Sequence, residues 1–302
     1  MDKETLSNYG WVVITVLVLA IMIALATPFG TYISDGVKST TEGLFKSSKN
    51  ALDVGLEEAG ITITDQEFED VNTIGGTSTP SIDMSTVDPV LANNSWETIQ
   101  KVIKVGKVAE AGWNVGDTTP SFTINGSTKQ ARIVDINGNK VTFMLTSSIG
   151  DHNMNAASAD YQWGDNIGGY AESEMKSWLD GEVYNGLDAD LKAVISETTI
   201  TCADGYNSPN GTKSATCYLF LPSIKEVGLN DYISSWYSYM TAIEAEGETF
   251  DWFAEGGYID GGFWLRSPSS DYYSDFFCYN RGINDGGCAG GSVPVYPAFV
   301  IG

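Results

Sequence analysis

The chain has 302 residues, 42% hydrophobic and 12% aromatic, enough to bury at least one sizeable core. Its net charge is −23; residues 1–50 balance four basic against four acidic side chains, so the remaining 12 basic and 35 acidic groups place the whole excess downstream. Such a field repels phosphate backbones, and beyond Lys225 only Arg266 and Arg281 are basic, which excludes nucleic acid as a partner.

Thr5 to Ser34 carries no charge, and its core, WVVITVLVLAIMIALATPF, is long enough to cross a hydrocarbon layer as a helix of roughly 20 residues. Tyr9 and Trp11 at one end and Phe29 and Tyr32 at the other suit the two interfaces. Residues 1–34 are therefore expected to be a transmembrane segment, entering the membrane through residues 9–32. The rival is a cleaved signal peptide with Ala24-Leu25-Ala26 as the processing site, but MDKET is hardly basic and the apolar run is long. Lys3 before the span and Lys38, Lys46 and Lys49 after it argue for an internal domain; the short leading flank and an acidic, cysteine-bearing domain argue for an external one. The expectation is a single-pass cell-membrane protein with its C-terminal domain extracellular. Residues 35–59 put Val37, Leu44, Ala51 and Leu52 near one helical stripe, an amphipathic stalk. A hydrophobic helix leading into an amphipathic one also suits a pilin-like subunit that self-assembles through its N-terminal helix, although no prepilin leader precedes the span. Residues 60–95, rich in Thr, Ser, Asp, Gly and Pro, read as a linker.

From Trp96 to the end the pattern is that of an α+β domain. ARIVDINGNKVTFMLTS is a hairpin about Asn137-Gly138. ESEMKSWLDGEVYNGL places Met175, Trp178 and Leu179 on one helical face, and DADLKAVISE does the same with Leu191, Val194 and Ile195 behind the potential cap Asp188. CYLFLPS reads as a buried strand, SIKEVG as a short capped helix, GFWLRSP as a strand and VPVYPAFVIG as the closing strand.

Four cysteines fall into two local pairs, Cys202 with Cys217 and Cys278 with Cys288, none at zinc or redox spacing; two disulfide loops and four reduced thiols are both compatible with that. His152 is the only histidine, so a histidine-based triad or a multi-histidine metal site has no second member, and it is expected on a loop or surface. There is no EF-hand loop, and GGCAGG lacks the lysine and helix of a phosphate-binding loop, so no cofactor is expected.

The segment SSDYYSDFFCYNRGINDGG, residues 269–287, crowds five aromatics among Ser, Asp, Asn and Gly, and its doublets Tyr272-Tyr273 and Phe276-Phe277 obey neither helix nor strand periodicity. Large rings with small hydrogen-bonding residues are how antibody-like paratopes are built. Ser269, Ser270, Asp271, Tyr272, Tyr273, Asp275, Phe276, Phe277, Tyr279, Asn280, Arg281, Asn284 and Asp285 are the candidate ligand-binding residues, with two or three of the rings expected to be buried and the others water-facing.

YAESEMKSWLDGEVYNGLDADLKAVI, YLFLPSIKEVG, GGFWLRSPS and VPVYPAFVIG together resemble the bacterial domain related to formylglycine-generating enzymes and C-type lectin folds, over roughly residues 100–302. Trp264 to Pro268 keeps that family's WLRSP element, whereas Asp180 stands where Asn is usual and Tyr296 where Arg is usual. The resemblance implies a C-type lectin-like scaffold. In the variable proteins of diversity-generating retroelements, such a scaffold displays a C-terminal segment whose AAY codons are rewritten at their adenines, which leaves Lys, Glu, Gln, Met and Trp out of reach. Residues 269–292 contain none of those five types. The implied function is non-catalytic binding of a protein or glycan ligand at the cell surface. The other readings are the pilin-like subunit and an oxidoreductase of the formylglycine-generating type, which Cys278 and Cys288 would have to serve at a spacing unlike that family's.

Overall fold

The computed structural model describes residues 82–208, 210–229, 242–269, 273–280 and 283–302. The expected membrane segment, the stalk and the first part of the linker lie outside them, and among the described residues no helix is long and apolar enough to cross a membrane. The compact unit starts at Thr79, not at Trp96. Residues 82–95, expected to be linker, belong to it: Leu91 is buried, and the Asp88 carbonyl accepts from the Trp113 indole at 3.1 Å and from Asn94 Nδ2 at 2.9 Å. Buried Leu91, the partly buried Ile82, Met84 and Val87 and one shared carbonyl bind this stretch to the core, which composition does not report.

The first helix, α1 (Trp96–Lys104), begins where the Ser95 hydroxyl accepts from Thr98 N–H, and it buries Trp96, Ile99, Val102 and Ile103 at helical spacing. A small hairpin follows, β1 (Phe122–Ile124) with β2 (Ser127–Lys129); Asn125 and Gly126 turn it with φ of 48° and 79°, both positive as a type I′ turn requires. The central sheet consists of β3 (Ala131–Asn137), β4 (Lys140–Leu145) and, from the far end of the chain, β12 (Ala298–Ile301), in the order β12-β4-β3. The expected β3–β4 hairpin is present but its turn is shifted by one residue. Asn137 pairs with Lys140, so Gly138-Asn139 forms the loop, and only Gly138 has positive φ, the pattern of a Gly-first type II′ turn. α1 lies against this sheet through Trp96, whose ring meets Phe122, Phe143 and Phe299 at 5.9, 6.3 and 6.2 Å.

α2 (Glu174–Trp178) starts at Ser173, whose hydroxyl accepts from Lys176 N–H, and runs on through a π-helical turn, Leu179–Val183. Met175 and Leu179 are buried as their spacing predicts and Trp178 is half-buried. Asp188 precedes α3 (Ala189–Lys192) but does not cap it: its carboxylate takes Thr123 N–H at 2.7 Å and the Thr123 hydroxyl at 2.5 Å, tying the helix to β1. These two bonds, the hydroxyl's first, hold the Asp188 carboxyl below its usual range.

The remaining strands are β5 (Asp151–His152), β6 (Thr198–Ala203), β7 (Thr212–Cys217), β8 (Gly262–Pro268), β9 (Asp275–Asn280), β10 (Ile283–Cys288) and β11 (Val293–Pro294). They pair as β6-β7, β11-β5 and β10-β9-β8, every pair antiparallel. CYLFLPS is a strand only at Cys217, with Phe220 forming a lone bridge to Ala298. SIKEVG is one turn, not a helix, closed by a reciprocal box in which Ser223 Oγ accepts from Glu226 N–H at 3.1 Å and Glu226 Oε2 accepts from Ser223 N–H at 2.9 Å. A short α4 (Asp251–Ala254) precedes β8. The architecture is thus mixed α+β, with several antiparallel sheets and few, short helices.

Candidate binding face

β8 and β9 are joined by a loop whose base is closed by main-chain bonds. Ser269 N–H donates to the Asp275 carbonyl at 2.8 Å, and Ala289 N–H donates to the Ser274 carbonyl at 2.6 Å. At the centre of this neck sits Asn166, fully buried. Its Nδ2 donates to the Ser269 carbonyl at 2.8 Å and the Asp275 carbonyl at 2.7 Å, its own N–H donates to the Tyr273 carbonyl at 2.7 Å, and its Oδ1 accepts from Tyr206 N–H at 3.1 Å. One amide therefore fastens three segments: the β8–β9 loop, the loop 153–169 and the turn after β6.

Loop 153–169 is held just as closely. Asn155 Nδ2 donates to the Asp165 carbonyl at 2.6 Å, and the Ala289 carbonyl accepts from the N–H groups of Met154 and Asn155 at 2.8 and 3.1 Å. Gly290 N–H donates to the Trp163 carbonyl at 2.7 Å. Gly164, at φ +75°, admits this approach: a Cβ there would lie 2.6 Å from Gly290 N and 2.7 Å from the Asn155 carbonyl oxygen.

On this base the Tyr273 ring stands 5.4 Å from Tyr161 and 6.2 Å from Tyr206, all three half-buried. On the same loop as Tyr161, Trp163 and Ile167 are 55% and 48% exposed, two of only four large hydrophobic side chains so exposed among the described residues. The five come from three separate segments that the Asn166 bonds bring together.

Two or three rings of residues 269–287 are expected to be buried, and three are, which takes them out of the candidate ligand-binding set. Phe276, Phe277 and Tyr279 are core residues. β9 is the middle strand of its sheet and is covered on both faces: Phe276 meets Trp264 edge-on at 6.5 Å, and Tyr279 stacks on Phe263 at 4.7 Å and lies 6.0 Å from Phe253. A strand buried on both sides shows an unbroken apolar run, so the doublet that fits no period is a strand after all. Ser269 is buried in the neck and Asp275 is half-buried, its Oδ1 accepting from Ser274 Oγ at 2.9 Å. Asn280, Asn284 and Asp285 are placed by register alone, opposite Ile283, Tyr279 and Cys278 on the β9–β10 ladder. Ser270, Asp271, Tyr272 and Arg281 lie outside the described residues.

Of the two readings left open for the cysteine pairs, disulfides do not form: Cys202, Cys217 and Cys288 carry thiols. On the β6–β7 ladder Cys202 faces Lys213 and Cys217 faces Thr198, four rungs apart, about 13 Å along the strand. Cys278 faces Asp285 and Cys288 faces Asp275, three rungs apart, about 10 Å. Both separations exceed the reach of a disulfide, which needs Cα atoms within about 7 Å. Burial pushes the thiols of Cys202 and Cys217 up to about 12, so neither is a thiolate nucleophile near neutral pH.

The WLRSP element is an internal clamp. Arg266, at the centre of β8, is fully buried and grips Glu226 with both arms, Nη1 to Oε2 at 2.5 Å and Nη2 to Oε1 at 2.9 Å. It also donates to the carbonyls of Leu221, at 3.0 Å, and Glu246. The buried Glu246 carboxylate accepts from Ala203 N–H at 2.9 Å and from the Ser267 hydroxyl. Burial pushes the Glu246 carboxyl above its ordinary value; burial lowers the Arg266 guanidinium, but Glu226 and Glu246 together hold it above its ordinary value. Each charge here has a partner, so the cluster joins β6, β8 and the Ser223 turn.

Asp180 and Tyr296 also have structural contacts. Asp180 Oδ1 accepts from Tyr218 and Leu219 N–H at 2.9 and 3.3 Å, which an Asn oxygen could do equally, and its Oδ2 pairs with Lys176 at 3.0 Å, which an Asn could not. The Tyr296 ring packs 5.2 Å from Phe263. His152 is half-buried on β5, stacked on Trp178 at 4.1 Å, with its carbonyl accepting from the Trp264 indole at 2.8 Å. Among the described residues no group of three or more His, Cys, Asp or Glu side chains is arranged to hold a metal.

A family model described as "Domain of unknown function (DUF6273)" matches residues 128–302. No curated protein and no solved structure matches the chain significantly.

Proposed function

The chain belongs to this DUF6273 family, and from that premise we propose that it is a non-catalytic ligand-binding protein, displayed at the cell surface by its N-terminal apolar segment, with a scaffold of the C-type lectin-like, formylglycine-generating-enzyme-related kind. The binding face in this reading is Tyr161, Trp163, Ile167, Tyr206 and Tyr273. The observation that carries it is the cluster itself: three tyrosines and two exposed apolar side chains from separate segments, assembled around a buried asparagine. Rigidly mounted aromatic rings gain contact area at low entropic cost, and such residues supply most of the energy of protein interfaces. The raised thiols of Cys202 and Cys217 and the separation of Cys278 from Cys288 weigh against the oxidoreductase reading.

The test is a binding screen of full-length protein in detergent micelles against immobilised glycans and peptides, run beside Trp163→Ala and Tyr273→Ala variants of unaltered circular dichroism. A ligand whose affinity falls about tenfold or more in either variant supports the face. Ligands bound equally well by wild type and both variants remove it. Protease shaving of intact cells tests surface display separately.

A further inference from the structure

We propose that the partner of this face is a cationic polypeptide segment, a Lys- or Arg-bearing strand or loop of another protein; the inference rests on the binding-face reading. Three carboxylates adjoin the cluster with no ion-pair partner among the described residues: exposed Asp160, next to Tyr161; half-buried Asp165, whose Oδ1 accepts from Ile167 N–H at 3.1 Å; and half-buried Asp275 at the neck. Some acids elsewhere sit beside cations, as in Glu97 with Lys101, Glu110 with Lys107, Asp180 with Lys176 and Glu244 with Lys225, although 39 acidic against 16 basic groups leave others without one. Residues 155–167 and 204–208, which carry four of the five face side chains, hold no Lys or Arg. Lys213, the cation that reaches the second of these segments, places its ammonium between Asp204 and Glu172, at 2.8 and 2.7 Å.

Aromatic faces attract ammonium and guanidinium groups. The fold already makes such pairs within itself, Arg132 over Trp252 at 4.4 Å and Lys192 over Tyr184 at 4.8 Å. The binding face has the rings and the carboxylates without the cation. The net charge of −23 extends the same preference to long range, drawing basic partners in and repelling anionic lipid and nucleic acid. A face that spans three segments and exposes Trp163 and Ile167 calls for apolar as well as charged contact, which an extended basic peptide offers and a bare cation does not.

The test uses full-length protein in micelles and four probes: a Gly-Arg repeat peptide, a Gly-Glu repeat, a Gly-Ser repeat and a neutral glucan oligosaccharide. The Gly-Arg peptide is expected to bind, more weakly as salt rises, and to lose about tenfold in affinity with Trp163→Ala. The double variant Asp160→Asn, Asp165→Asn, which keeps the bond to Ile167 N–H, should bind severalfold more weakly and with a shallower salt dependence. Tyr258→Ala, 65% exposed on the turn after α4, should change nothing. Gly-Arg binding that ignores Trp163→Ala, or no Gly-Arg binding, overturns the proposal. Trp163-dependent binding of the glucan, Gly-Ser or Gly-Glu probe in place of Gly-Arg also overturns it while leaving the binding face intact.

Discussion

Asn166 shows how much of this face depends on a single side chain. Replacing it with Ala removes the bonds it makes to the carbonyls of Ser269 and Asp275 and to the Tyr206 N–H, leaving the Asp275 carbonyl with only the Ser269 N–H. Each such loss costs on the order of 1–3 kcal/mol, so Asn166→Ala should lower stability by about 2–4 kcal/mol, read as a lower urea midpoint. Asp is the more telling substitution, because it keeps the acceptor for Tyr206 and removes only the two donors. Arg266 is a second such residue: Arg266→Leu strands the buried Glu226 carboxylate and should cost about 3–5 kcal/mol. Glu246 makes a prediction in pH. Its folded carboxyl titrates above the unfolded value, so the native state binds the extra proton between the two. Its contribution to stability is therefore fully present below the unfolded value and is lost as pH rises through the folded one. Glu246→Gln retains an acceptor for Ala203 N–H and should remove that part of the decline, visible as a smaller stability difference between mildly acidic and neutral pH than in wild type.

At the scale of elements, β9 decides what residues 269–292 can be. Both its faces are covered, so Phe276, Phe277 and Tyr279 belong to the core whatever happens in the loop before them. If the segment is diversified, sequencing the locus across strains should find changes that spare these three rings; frequent polar replacements there would contradict the burial described. The β6–β7 register makes a chemical prediction. With Cys202 and Cys217 four rungs apart and buried, native protein should label only at Cys288, the exposed thiol, and denatured protein at all four without prior reduction. An intact-mass shift on adding reductant alone would refute the register. Turn and cap chemistry is standard at Asn125-Gly126, at Ser95 before α1 and at Ser173 before α2, whereas the expected cap Asp188 bonds Thr123 instead and the turn expected at Asn137-Gly138 lies one residue later. The helix α1 and the Asn125-Gly126 turn are legible in SWETIQKVIK and TINGS.

For the molecule as a whole, the unit from Thr79 to Gly302 contains the central sheet, the Arg266 clamp and the candidate face, and β12 closes the sheet that β3 and β4 open. Residues 79–302 expressed alone should unfold in a single cooperative step, whereas a version starting at Trp96 should be less stable, because it lacks buried Leu91 and the Asp88 carbonyl that holds Trp113. The spacing of apolar residues was enough for the α+β class, the β3–β4 hairpin, α2 and the strand GFWLRSP. All of these are short-range properties: they depend on a residue and its neighbours within a turn or two. The candidate face is a different kind of object. Tyr161, Trp163, Ile167, Tyr206 and Tyr273 lie as far as 112 positions apart in the sequence. Only the hydrogen bonds of Asn166 and the register of β8, β9 and β10 bring them together. Tyr161 and Trp163, in DYQWGDNIGGY, share the aromatic and glycine-rich composition of residues 269–287 and could have been singled out on that ground. Nothing around Asn166 marks it, because its partners are main-chain atoms on distant segments. The same physics decides which of the late aromatics are core, since whether a ring meets water or core depends on what covers each face of its strand, and that is set by the packing of other segments.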